Sequence, residues 1–225
     1  MSGLRLGGAA DRGDLASFLG RAVALDPAAL ARVRVAGERV TAWVRLPFGV
    51  LVSRTVSGSA DPADVTVGAA DLLTALDPPP RDAARPPPPD GPAGDAVRWP
   101  GRRDVEWRAA LPPAAGWQRL DSVPADVLRA LVRAGRDALR AVPAGAAAAA
   151  GESLLDHESL TVSGAGQTAV LPLRVLSALT RMGFLGGDPS ADVVLVSAAG
   201  GWTRLAGAYG SAYQHTTPTL GLTPR

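Results

Sequence analysis

Between Leu154 and Tyr213 the spacing of apolar side chains switches from two residues to three or four and back to two. Few architectures accommodate that order. Leu160 and Val162 alternate with Ser159, Thr161 and Ser163, Gly164 to Gly166 marks a turn, and Thr168 to Leu171 is a second extended run. Together they predict a hairpin. Pro172 stands where a helix can begin, since its missing N–H is not needed there. Val175, Ala178, Leu179 and Met182 then recur at helical spacing, with Gly183 placed as a left-handed cap and Phe184 and Leu185 able to fold back. Val193 to Val196 and Trp202 to Leu205 predict two more strands around a turn at Ala198 to Gly201. This strand, strand, helix, strand, strand unit cannot offset the entropy of its own ordering, so the rest of the chain must pack against it.

Upstream, residues 1–10 carry little pattern and read as a loose end. Asp14 is placed to cap a helix whose apolar face is Leu15, Phe18, Leu19, Ala22 and Val23, and Asp26 and Pro27 start a further helical turn through Leu30. Three extended runs follow, Arg32 to Ala36, Arg39 to Leu46 and Gly49 to Val56. In the middle one Val40, Ala42, Val44 and Leu46 alternate with Arg39, Thr41, Trp43 and Arg45, the pattern of a half-buried antiparallel strand. A short strand at Val65 and Val67 and a short helix from Ala69 to Leu76 complete the first lobe.

Pro78 to Pro100 predicts an extended spacer without a core, because of Pro78 to Pro80 and Pro86 to Pro89. A docking site for a polyproline-binding partner is the functional alternative. Beyond it Val105, Trp107, Leu111 and Trp117 read as an arm on the second lobe, and Ser122 as the approach to a helix from Pro124 to about Val142. Ala144 to Gly151 reads as a low-complexity connector. The domains expected are therefore 1–76, a linker 77–100 and 101–225.

Composition excludes several chemistries. Every one of the 23 basic residues is Arg, so there is no lysine for a Schiff base, a phosphate-loop motif or a kinase site. The chain has no Cys, which removes thiol nucleophiles, iron–sulfur clusters and Cys-rich zinc sites. The sequence pI near 9.9 accompanies a net charge of only +2, so it is not a nucleic-acid signature by itself. No run is long and apolar enough to span a bilayer, and charges interrupt the N-terminal stretch where a signal core would lie. A cytoplasmic location is expected.

Arg129, Arg133, Arg136 and Arg140 stand within about 60° of one another on a helix at 100° per residue, a ladder able to track phosphates or simply to be solvated. Asp156-His157-Glu158 has the residue types of a metal or general-base site, but on a strand His157 faces away from the two carboxylates. Trp202, Tyr209 and Tyr213 offer an aromatic surface for an interface or for base stacking, with Tyr209 and Tyr213 at i, i+4 if that segment is helical.

LPPAAGWQRLDSVP (Leu111 to Pro124), LPLRVLSALTRMGFL (Leu171 to Leu185) and GGWTRLAGAYGSAY (Gly200 to Tyr213) resemble an actinobacterial family of unknown function, over roughly Trp107 to Leu222. The resemblance implies an actinobacterial origin and carries no activity. A second resemblance, in GQTAVLPLRVLSAL, GGD and VVLVSAAGGWTRL, is to the swapped-hairpin DNA-binding domains of transition-state regulators, and bears on fold alone.

The sequence thus predicts an α+β protein of two small lobes, each an antiparallel sheet with one or two packed helices. The expected function is a non-enzymatic cytosolic interaction module that meets a protein partner or a second copy of itself, needs no cofactor or metal and makes no membrane contact. The alternative is a DNA-binding regulator using the arginine ladder.

Overall fold

The structure is a computed structural model in which residues 3–77, 96–188 and 192–215 are described. The expected proline spacer falls on 77–100 and lies largely outside them. The chain forms two compact units, Met1–Ala109 and Ala110–Arg225, each α+β with antiparallel strands. Residues 96–109 therefore go with the first unit, although the sequence assigns 101 onward to the second lobe.

The first unit runs β1 (Gly3–Leu6), α1 (Ala9–Leu25), β2 (Leu30–Ala36), β3 (Arg39–Arg45), β4 (Leu51–Asp61), β5 (Asp64–Gly68), α2 (Ala69–Leu76) and β6 (Ala96–Val97). Its strands lie in the order β5-β2-β3-β4-β1-β6. The alternation in β3 sets the register: Val40 stands opposite half-buried Val35 and buried Val56, and Val44 opposite Val52, with Val40, Val44 and Val52 fully buried. Leu15, Phe18, Leu19 and Ala22 of α1 and Leu72 and Leu76 of α2 supply the apolar sides of the helices.

Several expectations are corrected here. The supposed loose end is β1, whose Leu4 and Leu6 are buried on either side of Arg5. Four residues show too little alternation to be read alone, and they pair with the far end of β4, where Gly58 lets the strands approach: a Cβ there would lie 2.2 Å from the Arg5 carbonyl oxygen. β4 is accordingly longer than the predicted Gly49 to Val56. Helix α1 begins at Ala9, so Asp14 is not its cap but pairs with Arg54. Asp26 and Pro27 make a turn rather than a helix, with Asp26 Oδ1 accepting from the Ala28 amide at 2.9 Å.

The expected arm around Val105 and Trp107 closes the edge of β5 instead. Thr66 N donates to Asp104 Oδ1 at 2.6 Å, Arg103 N to the Thr66 carbonyl at 2.8 Å, and Arg102 Nε to Asp104 Oδ2 at 2.7 Å. Val105 itself is 80% exposed. An open strand edge invites mispairing, and this segment occupies it.

The second unit comprises β7 (Gln118–Pro124), α3 (Ala125–Arg140), α4 (Ala147–Leu155), β8 (Glu158–Gly164), β9 (Gln167–Pro172), α5 (Leu173–Arg181), β10 (Val193–Ala199), β11 (Trp202–Gly207) and β12 (Gly210–His215). Strands β7-β10-β11-β12 are neighbours, and β8-β9 is a separate hairpin. Val123, Val194, Val196, Leu205 and Ala212 are buried in the sheet, and α3 and α5 pack against its strands. The hairpin and α5 fall where the sequence puts them, with Gly183 at φ 68° and Phe184 N returning to the Leu179 carbonyl at 2.9 Å.

Three segments differ from expectation. The approach to α3 is a strand, β7. Ala144 to Gly151 is not a bare connector: a 3₁₀ turn leads into α4, because alanine-rich sequence favours helix strongly. Tyr213 lies on β12 and Tyr209 in the turn before it, so they are not a helical pair.

Candidate functional site

Helix α3 is amphipathic for a packing reason. Leu128, Val132 and Gly135 are buried, and Gly135 brings α3 so close to α5 that a Cβ there would sit 2.4 Å from Leu173 Cδ2. The flank beside that face, about 100° away around the helix, carries the arginines. Arg133, Arg136 and Arg140 are exposed, and Arg140 Nη1 donates to Asp137 Oδ1 at 3.1 Å. Arg129 is different. It is half-buried, and its Nη2 donates to the carbonyls of Leu185 at 2.9 Å and Gly186 at 2.8 Å, tying α3 to the loop after α5. The predicted four-rung ladder is three exposed guanidiniums and one structural clamp.

Beside this helix lies a hollow of about 280 Å³ between α3, α4 and α5, with Leu139, Leu154 and Leu173 among its walls and Arg136 and Arg181 at its mouth. Nothing in the sequence spacing marks it, since α4 reads as a connector.

The aromatic residues divide into two contacts on one face of the β11–β12 ladder. Trp202 meets the His215 ring edge-to-face at 4.9 Å between centroids. Tyr213 is buried and meets Trp117 at 6.0 Å, and the Arg204 guanidinium lies 4.6 Å over the Trp117 ring. Tyr209 stands apart, 52% exposed. Sequence reading places Trp117 only on an arm and does not single out Arg204, because Trp117, just before β7, and Arg204, within β11, are far apart in the chain.

Asp156 pairs with Arg174, and the His157 carbonyl accepts the Leu173 amide at 2.9 Å. Among the described residues no group of three His, Cys, Asp or Glu is arranged to hold a metal, and no helix is long and apolar enough to cross a membrane.

Comparison with known proteins places this geometry. Residues 1–96 match the model of a domain of unknown function (DUF8010), and residues 112–219 that of another domain of unknown function (DUF8185). No curated protein matches the chain. Among solved structures, the DNA polymerase III subunit beta from Pseudomonas aeruginosa is similar over 96% of this chain and 65% of its own, at 11% identity and TM-score 0.52. The DNA polymerase sliding clamp from Caulobacter crescentus is similar over 95% and 67%, at 13% identity and TM-score 0.51. The beta subunit from the DNA polymerase of Streptococcus pyogenes is similar over 90% and 62%, at 11% identity and TM-score 0.52. The chain thus spans about two thirds of the length of these proteins or somewhat less. Together the matches to two domains of unknown function cover most of the chain, and its fold is similar to that of the DNA polymerase sliding clamps.

Proposed function

We propose that this protein is a non-catalytic cytosolic interaction module that associates with DNA and works through protein surfaces, a second copy of itself among the candidate partners. The observation that carries the reading is the sliding-clamp likeness over nearly the whole chain. The absence of Lys and Cys supports a binding rather than a catalytic role.

For the DNA contact the supporting feature is α3. Arg133, Arg136 and Arg140 present guanidiniums in one row on a rigid element, and such groups suit phosphate oxygens. A row of guanidiniums suits the phosphate backbone, so the contact is expected to be indifferent to sequence.

The test is fluorescence anisotropy with a labelled duplex at low salt. Wild type binds, duplexes of unrelated sequence bind equally, and the combined R133E/R136E/R140E variant loses binding while keeping its thermal midpoint. Equal binding by wild type and variant would remove the α3 contact from the account.

A further inference from the structure

Among the described strands β5 pairs only with β2, so its outer side is a sheet edge. Backbone groups along a strand face alternate sides. The Ala63 carbonyl accepts the Val35 amide on the β2 side at 2.8 Å, which leaves the N–H and C=O of Asp64 and of Thr66 facing outward. Residues 102–106 meet Thr66: its N–H donates to Asp104 Oδ1 at 2.6 Å, and its C=O accepts the Arg103 amide at 2.8 Å. A single isolated bridge, Val67 with Arg102, joins the segment to the strand.

This cover is lightly held. The 3₁₀ turn Asp104–Glu106 buries no side chain, and Val105 is 80% exposed. The Arg103 guanidinium donates to Glu106 at 2.8 and 2.7 Å and Arg102 Nε to Asp104 at 2.7 Å, so these charges are paired within the segment itself. Burial of apolar surface is the main attachment of most segments, and this one has none at its centre. Beneath it Val65, Thr66 and Val67 are consecutive β-branched residues, a composition that favours strand pairing.

We propose that β5 is a latent pairing edge for a second copy of this chain, and that residues 102–106 are the removable cover that keeps it closed. A second copy fits because β5 matches itself. Laid antiparallel about Thr66, two copies set Val65 against Val67 and Asp64 against Gly68, so β-branched side chains meet and no like charges face each other. Asp64 keeps its ion pair with Arg32 of β2, at 2.8 Å. The inference rests on the self-association part of the functional reading and not on the DNA contact.

The full chain is followed by sedimentation velocity over a concentration series, without nucleic acid, and far-UV circular dichroism reads folding. One variant replaces residues 102–106 with a Gly/Ser stretch of equal length. A milder one, Asp104→Ala, removes only the carboxylate on the Thr66 amide. Each copy must release its cover before two can pair, so both variants dimerise at least about tenfold more tightly than wild type. Thr66→Pro, added to either, removes the outward N–H, leaves the bonds to β2 in place and returns the protein to monomer. If the Gly/Ser variant does not fold, Asp104→Ala decides alone. Association unchanged from wild type in the folded variants overturns the proposal. A dimer that survives Thr66→Pro overturns it too, since self-association would then use another surface and the broader functional reading would stand.

Discussion

Helices α1 and α3 occupy corresponding places: each follows the first strand of its unit and packs beside that unit's last described helix. Their charges are used in opposite ways. On α1, Asp11 accepts the Ser57 amide at 2.8 Å, Arg12 donates to the Leu76 carbonyl at 2.8 Å, and Asp14 pairs with Arg54. On α3 only Arg129 is committed to backbone carbonyls, and three arginines remain at the surface. Charges spent on backbone groups hold an architecture together, whereas a row of one sign left in solvent is available to a partner.

The packing of α1 and of α4, the helix that rests beside α3, differs as well, and there the largest effect is expected. Leu19 of α1 is fully buried, so Leu19→Ala costs about 2 to 5 kcal/mol in urea unfolding, whereas Leu154→Ala on α4, beside the hollow, costs about 1 kcal/mol or less. A comparable loss at both sites would show α4 to be packed as firmly as α1.

The same substitution has opposite signs in the two helices. Gly135→Ala forces a methyl against buried Leu173 and destabilises by about 1 to 2 kcal/mol. At Gly20 of α1 the nearest atom to an added Cβ is Leu73 Cδ2 at 3.9 Å, so Gly20→Ala stabilises by about 0.5 to 1 kcal/mol. Thermal melts of the two variants read the sign directly.

Smaller still is the division within the ladder. Arg129→Ala strands two carbonyls and costs about 1 to 2 kcal/mol, while Arg133→Ala stays within about 0.5 kcal/mol. Equal effects would restore the uniform ladder that the sequence suggests.

The smallest effect belongs to Asp104 in the first unit. The Thr66 amide, and then Arg102, hold its carboxyl below the usual carboxylate range. A lowered folded value means that this contribution is complete above the unfolded range and is lost as pH falls through the folded one. Asp104→Asn therefore flattens the acid limb of the unfolding midpoint plotted against pH, and an unchanged limb would assign that limb to other groups.

Period alone reveals β3 and the β8-β9 hairpin through alternation, and α5 through the helical spacing of Val175, Ala178, Leu179 and Met182, although Ser177 on its other side is buried as well. It fails at β7 for a local reason. The pairing with β10 shifts between Val196 and Ser197, and that bulge puts Leu120 and Val123, three residues apart, on the buried side. Apolar residues at that spacing look like the start of a helix. β1 is invisible because its partner lies more than fifty residues away at the end of β4. The exposed arginines are legible, since helical geometry fixes their face. Neither the withdrawal of Arg129 nor the hollow can be read, because both depend on where the loop after α5 and the alanine-rich α4 come to rest.

The central claim is that α3, unlike α1, carries a row of exposed arginines placed to meet phosphate. Its most direct measurement is the salt dependence of duplex binding, compared for wild type, R133Q/R136Q/R140Q and R21Q, the last removing an exposed arginine of α1. The account predicts that log affinity falls linearly with log salt, that the slope shrinks by about 2 to 3 in the triple variant, and that R21Q leaves it unchanged. A slope the same for all three proteins would contradict it.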